Sequence, residues 1–447
     1  MPAQHPTPQT VSPALRTDQR LALWLFLVAA LFAVLPTGLS WNFEPNADML
    51  EGSWVRKLQW SGLFGVATLL AWRTGFKDLF RYVWVNPFLW LLMLFAAASS
   101  LWSPFPALVW RQMVQYGGVL LIGFVLAHAL GDRLASLVHG LFGVLMGVLL
   151  VSALMVVINP TVALETEVGI EGAWRGILEQ KNILGIACGI SMLLWVYVQT
   201  QRPMGWWRAL ATLGLIFLCL LKSRSSSSLF FGLLACTVYL VLYRQHVRAP
   251  AFLVRVAAGG ALLLVLTLVG FFFVNDRFPG AADILGPFSA LFGKSADLTG
   301  RGDIWVYMWQ SIESHWWLGQ GYASFWLGPG GPSQFIADAL RWNVPSAHNG
   351  YLDVLNELGL VGLTLFALQL AFHLRNLVVL ASLRRQEFAF HSGLFIIFLV
   401  SNFSESTALR VTSFLQFLFF MSMLMVHHAA YRHGHPPAVG QGARSWV

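Results

Sequence analysis

Continuous apolar runs of about 18 residues or more recur along this chain, and no other feature limits its folding so strongly. A helix built from such a run satisfies its own backbone hydrogen bonds, so it is stable in hydrocarbon where no water can replace them. An outer-membrane barrel is excluded because the runs are continuous rather than alternating. Of the 447 residues 57% are hydrophobic and only 11% charged, where a soluble protein carries about a quarter charged. The fold class that follows is an all-α polytopic membrane protein. Its 20 Trp and 34 Phe suit interfacial belts and lipid-facing surface.

Twelve spans can be placed, over residues 21–39, 59–72, 87–101, 113–130, 134–158, 183–198, 209–221, 226–243, 252–274, 358–374, 388–400 and 413–426. The division expected is a tail over 1–20, nine spans within 21–274, a large polar loop over 275–349, three spans within 350–426, and a second tail over 427–447. The N-terminal tail is polar and Pro-rich, and no small-residue cleavage site follows the first apolar run, which therefore reads as a retained span. Cys188, Cys219 and Cys236 all fall inside apolar runs, placed neither for a disulfide nor for a thiolate metal site.

Charge sets the orientation. With the N-terminus cytoplasmic and the connections alternating, the inner side collects 16 Lys/Arg against four acids. The outer side keeps 12 against 16, and the two nets of +12 and −4 give the overall +8. Both termini are expected inside and the long loop outside. The basic balance is thus a consequence of topology, and no basic patch with interleaved aromatics suggests a nucleic-acid partner. No Walker loop, dinucleotide fingerprint, nucleophile elbow or HExxH motif is present, so nucleotide-driven transport lacks support in this chain.

The chemistry-bearing residues gather in the outer connections. His348 stands where the long loop meets a patterned helix, in which Tyr351, Leu352, Leu355 and Leu358 alternate with Asp353 and Glu357. An imidazole there suits a base acting on a hydroxyl at a lipid headgroup. The plainer reading is a helix-capping or loop-bonded histidine. Arg175, Arg224, Arg301, Arg341 and Arg410 run against the positive-inside bias. A planar guanidinium pairs diphosphate oxygens bidentately without changing protonation, although interfacial arginines also touch lipid phosphates. Arg301 precedes an amphipathic stretch with Trp305, Met308, Ile312 and Trp316 at helical spacing, and Thr299 is placed to cap it. Lys181, Arg341, Arg410 and Glu405 are supporting candidates. Residues 329–332, PGGP, mark a turn and a candidate lid. Glu44, Asp48 and Glu51 could hold a divalent ion only weakly, having neither a nearby histidine nor an Asp-x-Asp pair.

Four stretches then carry a resemblance. They are LWSPFPALVWRQ around Trp102, RGILEQKNILG from Arg175, SRSSSSL from Ser223, and GRGDIWVYMWQSIESHWWLGQGYASF followed by AHNGYLDVLNELGLVGL. Together and in this order the chain resembles the O-antigen ligase superfamily of bacterial envelope glycosyltransferases over about residues 21–426. His348 and Gly359 reproduce that family's His, ten residues, Gly spacing. Arg224 has the place of its arginine before the eighth span, with the spacing to Leu229 one residue longer than usual.

The resemblance implies a GT-C-like glycosyltransferase of the inner membrane with its site facing the periplasm. Its donor would be a glycan on undecaprenyl diphosphate, and its acceptor a sugar hydroxyl of lipid A-core. It implies an inverting displacement needing neither metal nor cofactor, with His348 as base and Arg301, Arg224 and Arg175 on the departing diphosphate. Rival readings within the superfamily are an O-antigen or exopolysaccharide polymerase and a protein O-oligosaccharyltransferase. The last often carries a further C-terminal domain, and only about twenty residues follow the last span here. A lipid-linked glycan transporter, from a different class, would place ionisable residues near the midplane of its spans. Here the arginines gather at the outer ends.

Overall fold

A computed structural model describes residues 16–36, 53–74, 86–166, 170–244, 301–328 and 330–434. Thr299, the ninth expected span, the Glu44, Asp48 and Glu51 trio and most of both tails lie outside the described residues. The helices are α1 (Thr17–Val34), α2 (Trp54–Thr74), α3 (Pro87–Ala98), α4 (Pro106–Leu130), α5 (Leu134–Ile158), α6 (Pro160–Ala163) and α7 (Lys181–Gln201). They continue with α8 (Trp206–Lys222), α9 (Ser226–Arg244), α10 (Arg301–Ser314), α11 (Gln334–Leu340), α12 (Gly350–Leu383), α13 (Arg385–Ser401) and α14 (Phe414–Gly434). Among the described residues the only extended pairing is one isolated bridge, Leu164 to Trp174.

Eleven of the twelve expected spans lie on helices, and seven of those helices are long and apolar enough to cross a membrane: α1, α4, α5, α7, α9, α12 and α14. The chain is a multi-pass membrane protein. The short runs 59–72 and 209–221 prove to be the middles of longer helices, α2 and α8.

Burial orders the bundle. α14 is the central post, with 89% of its apolar window covered by protein, and it packs against α4, α12 and α13. α5 has the highest mean hydropathy of the candidate spans, 2.8, yet only 33% of its window is covered. An apolar helix with so little protein around it is stable only where lipid covers the rest. On α7 a β-carbon at Gly185 would meet the Ser225 and Ser228 side chains, and one at Gly189 would meet the Phe231 ring. Small residues at this crossing let α9 lie close against α7, which accounts for the serine-rich turn between α8 and α9.

Polar contacts sort into two ends. At one end Arg384 and Arg432 pair with Asp132, Arg73 with Asp18, and Arg385 donates to the Leu242 carbonyl. At the other end Arg301 pairs with Glu405, Arg410 with Asp353, and Arg56 with the Thr412 hydroxyl. Each group contains only residues expected on one side.

The helix that carries the loop is broken in a defined way. At about 1.5 Å per residue, 34 residues of α12 exceed a ~30 Å hydrocarbon core. The break is Gly359, at φ 64° and ψ −169°. There Leu360 and Val361 donate to the carbonyls of Trp316 and Trp317 (2.8 and 3.2 Å). The carbonyls of Asn356 and Glu357, which those amides would meet in an unbroken helix, accept from Gln320 and Gly321 instead (3.0 and 2.9 Å). The loop is therefore spliced into the helix with each of these backbone groups satisfied. A β-carbon at Gly359 would overlap the Trp317 backbone, and one at Gly319 the Glu357 backbone.

Candidate active site

α10 buries Ile304, Met308 and Ile312 in a small apolar cluster with Phe325, Trp326, Ile336, Val344, Ala347 and Leu355. Of the face expected after Arg301, Met308 and Ile312 are buried and Trp305 packs partly against the cluster, while Trp316 lies beyond the helix end at Ser314. The cluster rests on the segment of α12 ahead of the break, and polar pins fix it there. Trp305 donates through Nε1 to the Ala347 carbonyl (2.9 Å), and Ser311 Oγ donates to Asn356 Oδ1 (2.7 Å). Tyr322 reaches deeper, donating its amide to Ser99 Oγ (3.0 Å) and its phenol to the Leu409 carbonyl (2.5 Å). Burial pushes that phenol well above its ordinary range, so it stays a donor.

Asp353 ties three segments together. Its Oδ1 accepts from Trp326 Nε1 (2.8 Å) and from the Ala347 amide (3.2 Å), and its Oδ2 pairs with Arg410 (3.3 Å). The helix pattern marks Asp353 and Glu357 as polar alternates. The structure buries Asp353 instead, and turns Glu357 onto the Ala323 amide (2.8 Å). No spacing in the sequence signals either partner.

His348 does not cap α12. Asn349 does, accepting from the amides of Tyr351 and Leu352 (3.1 and 3.2 Å). His348 sits one residue earlier with φ 49°, a left-handed conformation uncommon outside glycine that histidine tolerates better than most residues. The turn before α14 is laced to it. Asn349 donates its amide to Ser406 Oγ (3.1 Å) and Gly350 to the Asn402 carbonyl (2.9 Å). Asn402 Oδ1 in turn accepts from the amides of Thr407 and Ala408 (3.1 and 2.7 Å). This lacing carries Glu405 to His348.

Arg301, Glu405 and His348 meet at one point. Arg301 pairs with Glu405 Oε1 at 3.2 Å, and His348 Nδ1 lies 3.8 Å from Glu405 Oε2. Their side chains are 20%, 8% and 18% exposed, so the group is largely enclosed by protein. Lys181, at the start of α7, lies in the field of Glu165, Glu405, Arg301 and Arg224. Arg224 has φ 51° and donates to the Glu171 carbonyl (3.3 Å). Trp174 donates its amide to the Lys222 carbonyl (2.9 Å), which docks the connection before α7 onto the turn that holds Arg224.

The remaining candidates stand apart from this group. Arg175 donates through Nε to the Val162 carbonyl (2.8 Å) and braces its own connection. Arg410 is committed to Asp353. Arg341 is exposed at the C-terminal end of α11, with φ 63°. The turn expected near 329–332 is present, with Gly331 donating to the Gly328 carbonyl. A neighbouring half-buried cluster adds Glu179, Arg56 and Arg111 to the sequence candidates: Glu179 lies in the field of Arg56 and Arg410, and Arg56 in that of Arg111. Burial pushes the Glu179 carboxyl up against the pull of those two guanidiniums. The signal for Arg56 and Arg111 was the one used for the other arginines, since both oppose the positive-inside bias. Among the described residues no group of three or more His, Cys, Asp or Glu is gathered for a metal ion.

Fold and site together define a multi-pass membrane protein with a largely enclosed group of cations, carboxylates and an imidazole at a single end of its bundle. Residues 209–367 match the family described as O-antigen ligase, a stretch that holds Arg224, Arg301, His348 and Gly359. The resemblance is thereby supported for the third and fourth motifs, which lie inside the match, while the first two precede it. The match covers fewer than half of the 447 residues and supports a likeness of this stretch to the O-antigen ligase superfamily. No curated protein matches the chain.

Proposed function

We propose that this protein is an O-antigen ligase, transferring a glycan from undecaprenyl diphosphate to a sugar hydroxyl of lipid A-core at the periplasmic face of the inner membrane. The observation that carries the reading is the meeting of Arg301, Glu405 and His348 beside Lys181 and Arg224. An imidazole next to cations suited to a diphosphate supports the reading, and Arg224, Arg301 and His348 fall within the segment matched to the ligase family.

His348 turns Nδ1 toward Glu405, which leaves Nε2 for the acceptor hydroxyl. As Nε2 takes the proton, the hydroxyl oxygen attacks the anomeric carbon, and the bond from that carbon to the diphosphate oxygen breaks. The electron pair leaves with the undecaprenyl diphosphate, whose growing charge is met by Arg301, Arg224 and Lys181. Arg175 acts less directly, by holding the connection that backs Arg224. Preorganised charge of this kind contributes a few kcal/mol to such a step. A single displacement inverts the anomeric centre.

The test is a reconstitution. Purified protein is mixed in lipid with an undecaprenyl-diphosphate glycan and a lipid A-core lacking O-antigen, with a chelator present. A higher-mass lipopolysaccharide supports the reading. Glycan growth without acceptor would replace it with a polymerase, and no product from either mixture would remove it.

A further inference from the structure

Glu405 stands between the two groups that must act on different substrates. Its Oε1 accepts from Arg301 at 3.2 Å, longer than the ~2.7–2.9 Å of a tight charge-assisted hydrogen bond. Its Oε2 stops 3.8 Å short of His348 Nδ1, and that nitrogen is buried with no hydrogen-bond partner. A buried polar nitrogen left unbonded is unfavourable, so a partner within reach would be taken up. The carboxylate's own place is built with care, since the Asn402 turn and the Asn349 and Ser406 contact fix the backbone on both sides of it. The site is therefore held with its base unsupported while its anion-binding arginine is occupied by a carboxylate.

Resting on the proposed function, we infer that Glu405 is a positioning residue that exchanges partners when the donor binds. The diphosphate oxygens take the Arg301 guanidinium, bidentately, as one carboxylate oxygen does not. Freed from Arg301, Glu405 closes about 1 Å to accept the Nδ1 hydrogen of His348, within ordinary hydrogen-bond length. That bond fixes the tautomer with the Nε2 lone pair toward the acceptor and stabilises the imidazolium as the proton arrives. Glu405 takes no proton itself. The base is thus fully supported only with a donor in place, and the carboxylate competes with the diphosphate for Arg301 until then. Lys181, which also lies in the field of Glu405, stays beside Arg301 and Arg224 to meet the incoming anion.

The exchange predicts opposite effects on binding and on turnover, which a purely structural role would not produce. In Glu405→Gln the competing charge is gone, so undecaprenyl diphosphate binds about threefold to tenfold more tightly and donor KM falls. The anion behind His348 is gone as well, so kcat falls about tenfold to a hundredfold. Glu405→Asp keeps the charge on a shorter arm, so binding stays at the wild-type level while kcat falls.

Binding of undecaprenyl diphosphate in nanodiscs and steady-state transfer are measured for wild type, both variants and His348→Ala. Weaker donor binding by a folded Glu405→Gln, or an unchanged kcat in either variant, overturns the exchange. If Glu405→Gln does not fold, the Glu405→Asp result decides. A His348→Ala protein that turns over normally removes the proposed reaction chemistry itself. A dead His348→Ala alongside an unaltered Glu405→Gln removes the exchange alone.

Discussion

Leu360 donates its amide hydrogen to the Trp316 carbonyl at 2.8 Å, where an unbroken α12 would send it to Asn356. The loop that carries Arg301 and the helix that follows His348 are therefore one hydrogen-bonded unit at the break. Gly359 makes the exchange feasible, because its φ of 64° with ψ of −169° is a region essentially restricted to glycine. The spacing from His348 to Gly359 thus has a local physical reason in this chain. Gly359 lets the loop enter the helix, and the loop holds the segment that begins beside His348.

Gly359→Ala follows as the first prediction. The backbone strain costs about 1–3 kcal/mol, and the methyl group overlaps the Trp317 backbone besides. A lowered melting temperature and a loss of transfer greater than tenfold are expected, with amide exchange accelerated at residues 316–321. Unchanged protection there would mean the splice does not hold the loop.

Asp353→Asn tests the pin. The substitution weakens the contacts to Trp326 and Ala347 and removes the charge facing Arg410. A stability loss of about 1–3 kcal/mol is expected, since hydrogen bonds to a charged group are the stronger kind. Thermal unfolding in detergent measures it, and transfer activity should fall with it because Ala347 adjoins His348.

Much of this architecture was legible in the sequence, and the reasons differ by element. The run 134–158 coincides with α5 residue for residue, because a lipid-facing helix is delimited by its apolar composition alone. The run 358–374 identifies α12 but starts eight residues late. The earlier residues are helical through the Asn349 cap and the loop packed on them, which an apolar-run reading does not register. At the site, residue type and sidedness single out Arg301, Arg224, His348, Lys181 and Glu405. They do not separate these from Arg175, Arg341 or Arg410. Which cations converge depends on contacts between segments more than a hundred residues apart, such as Arg301 with Glu405. Asp353 and Glu357 look like the solvent face of a helix, and only the packed loop turns that face inward.

Arg301→Lys separates geometry from charge. An ammonium keeps the positive charge but has no planar pair of donors for a diphosphate. A loss of about 10²–10³ in turnover is expected, on the scale of removing one transition-state hydrogen-bond donor. Near-normal transfer would count against diphosphate binding at this position.

At the opposite end, Asp132 gives a pH-dependent prediction. Burial pushes its carboxyl up, but the hydrogen bond and charge of Arg384, with Arg432 beside it, outweigh burial and hold it below the usual range. Its stabilising contribution is therefore present above the unfolded value of about 4 and is lost as pH falls through the lowered folded value. Half-exposed ion pairs are weak. Asp132→Asn should lower the melting temperature by only about 1 °C at pH 7, with the difference shrinking as pH falls below about 4. A difference that does not shrink as pH falls below that value would assign the effect to something other than the carboxylate charge.

The central claim is that His348 takes the acceptor's proton beside a diphosphate held by Arg301. The most direct measurement is transfer by His348→Ala in the reconstituted mixture, with undecaprenyl diphosphate binding followed in parallel. Loss of a general base costs about 10²–10⁴ in rate, so turnover should fall at least a hundredfold while donor binding stays within about threefold of wild type. Turnover near the wild-type rate would contradict the account.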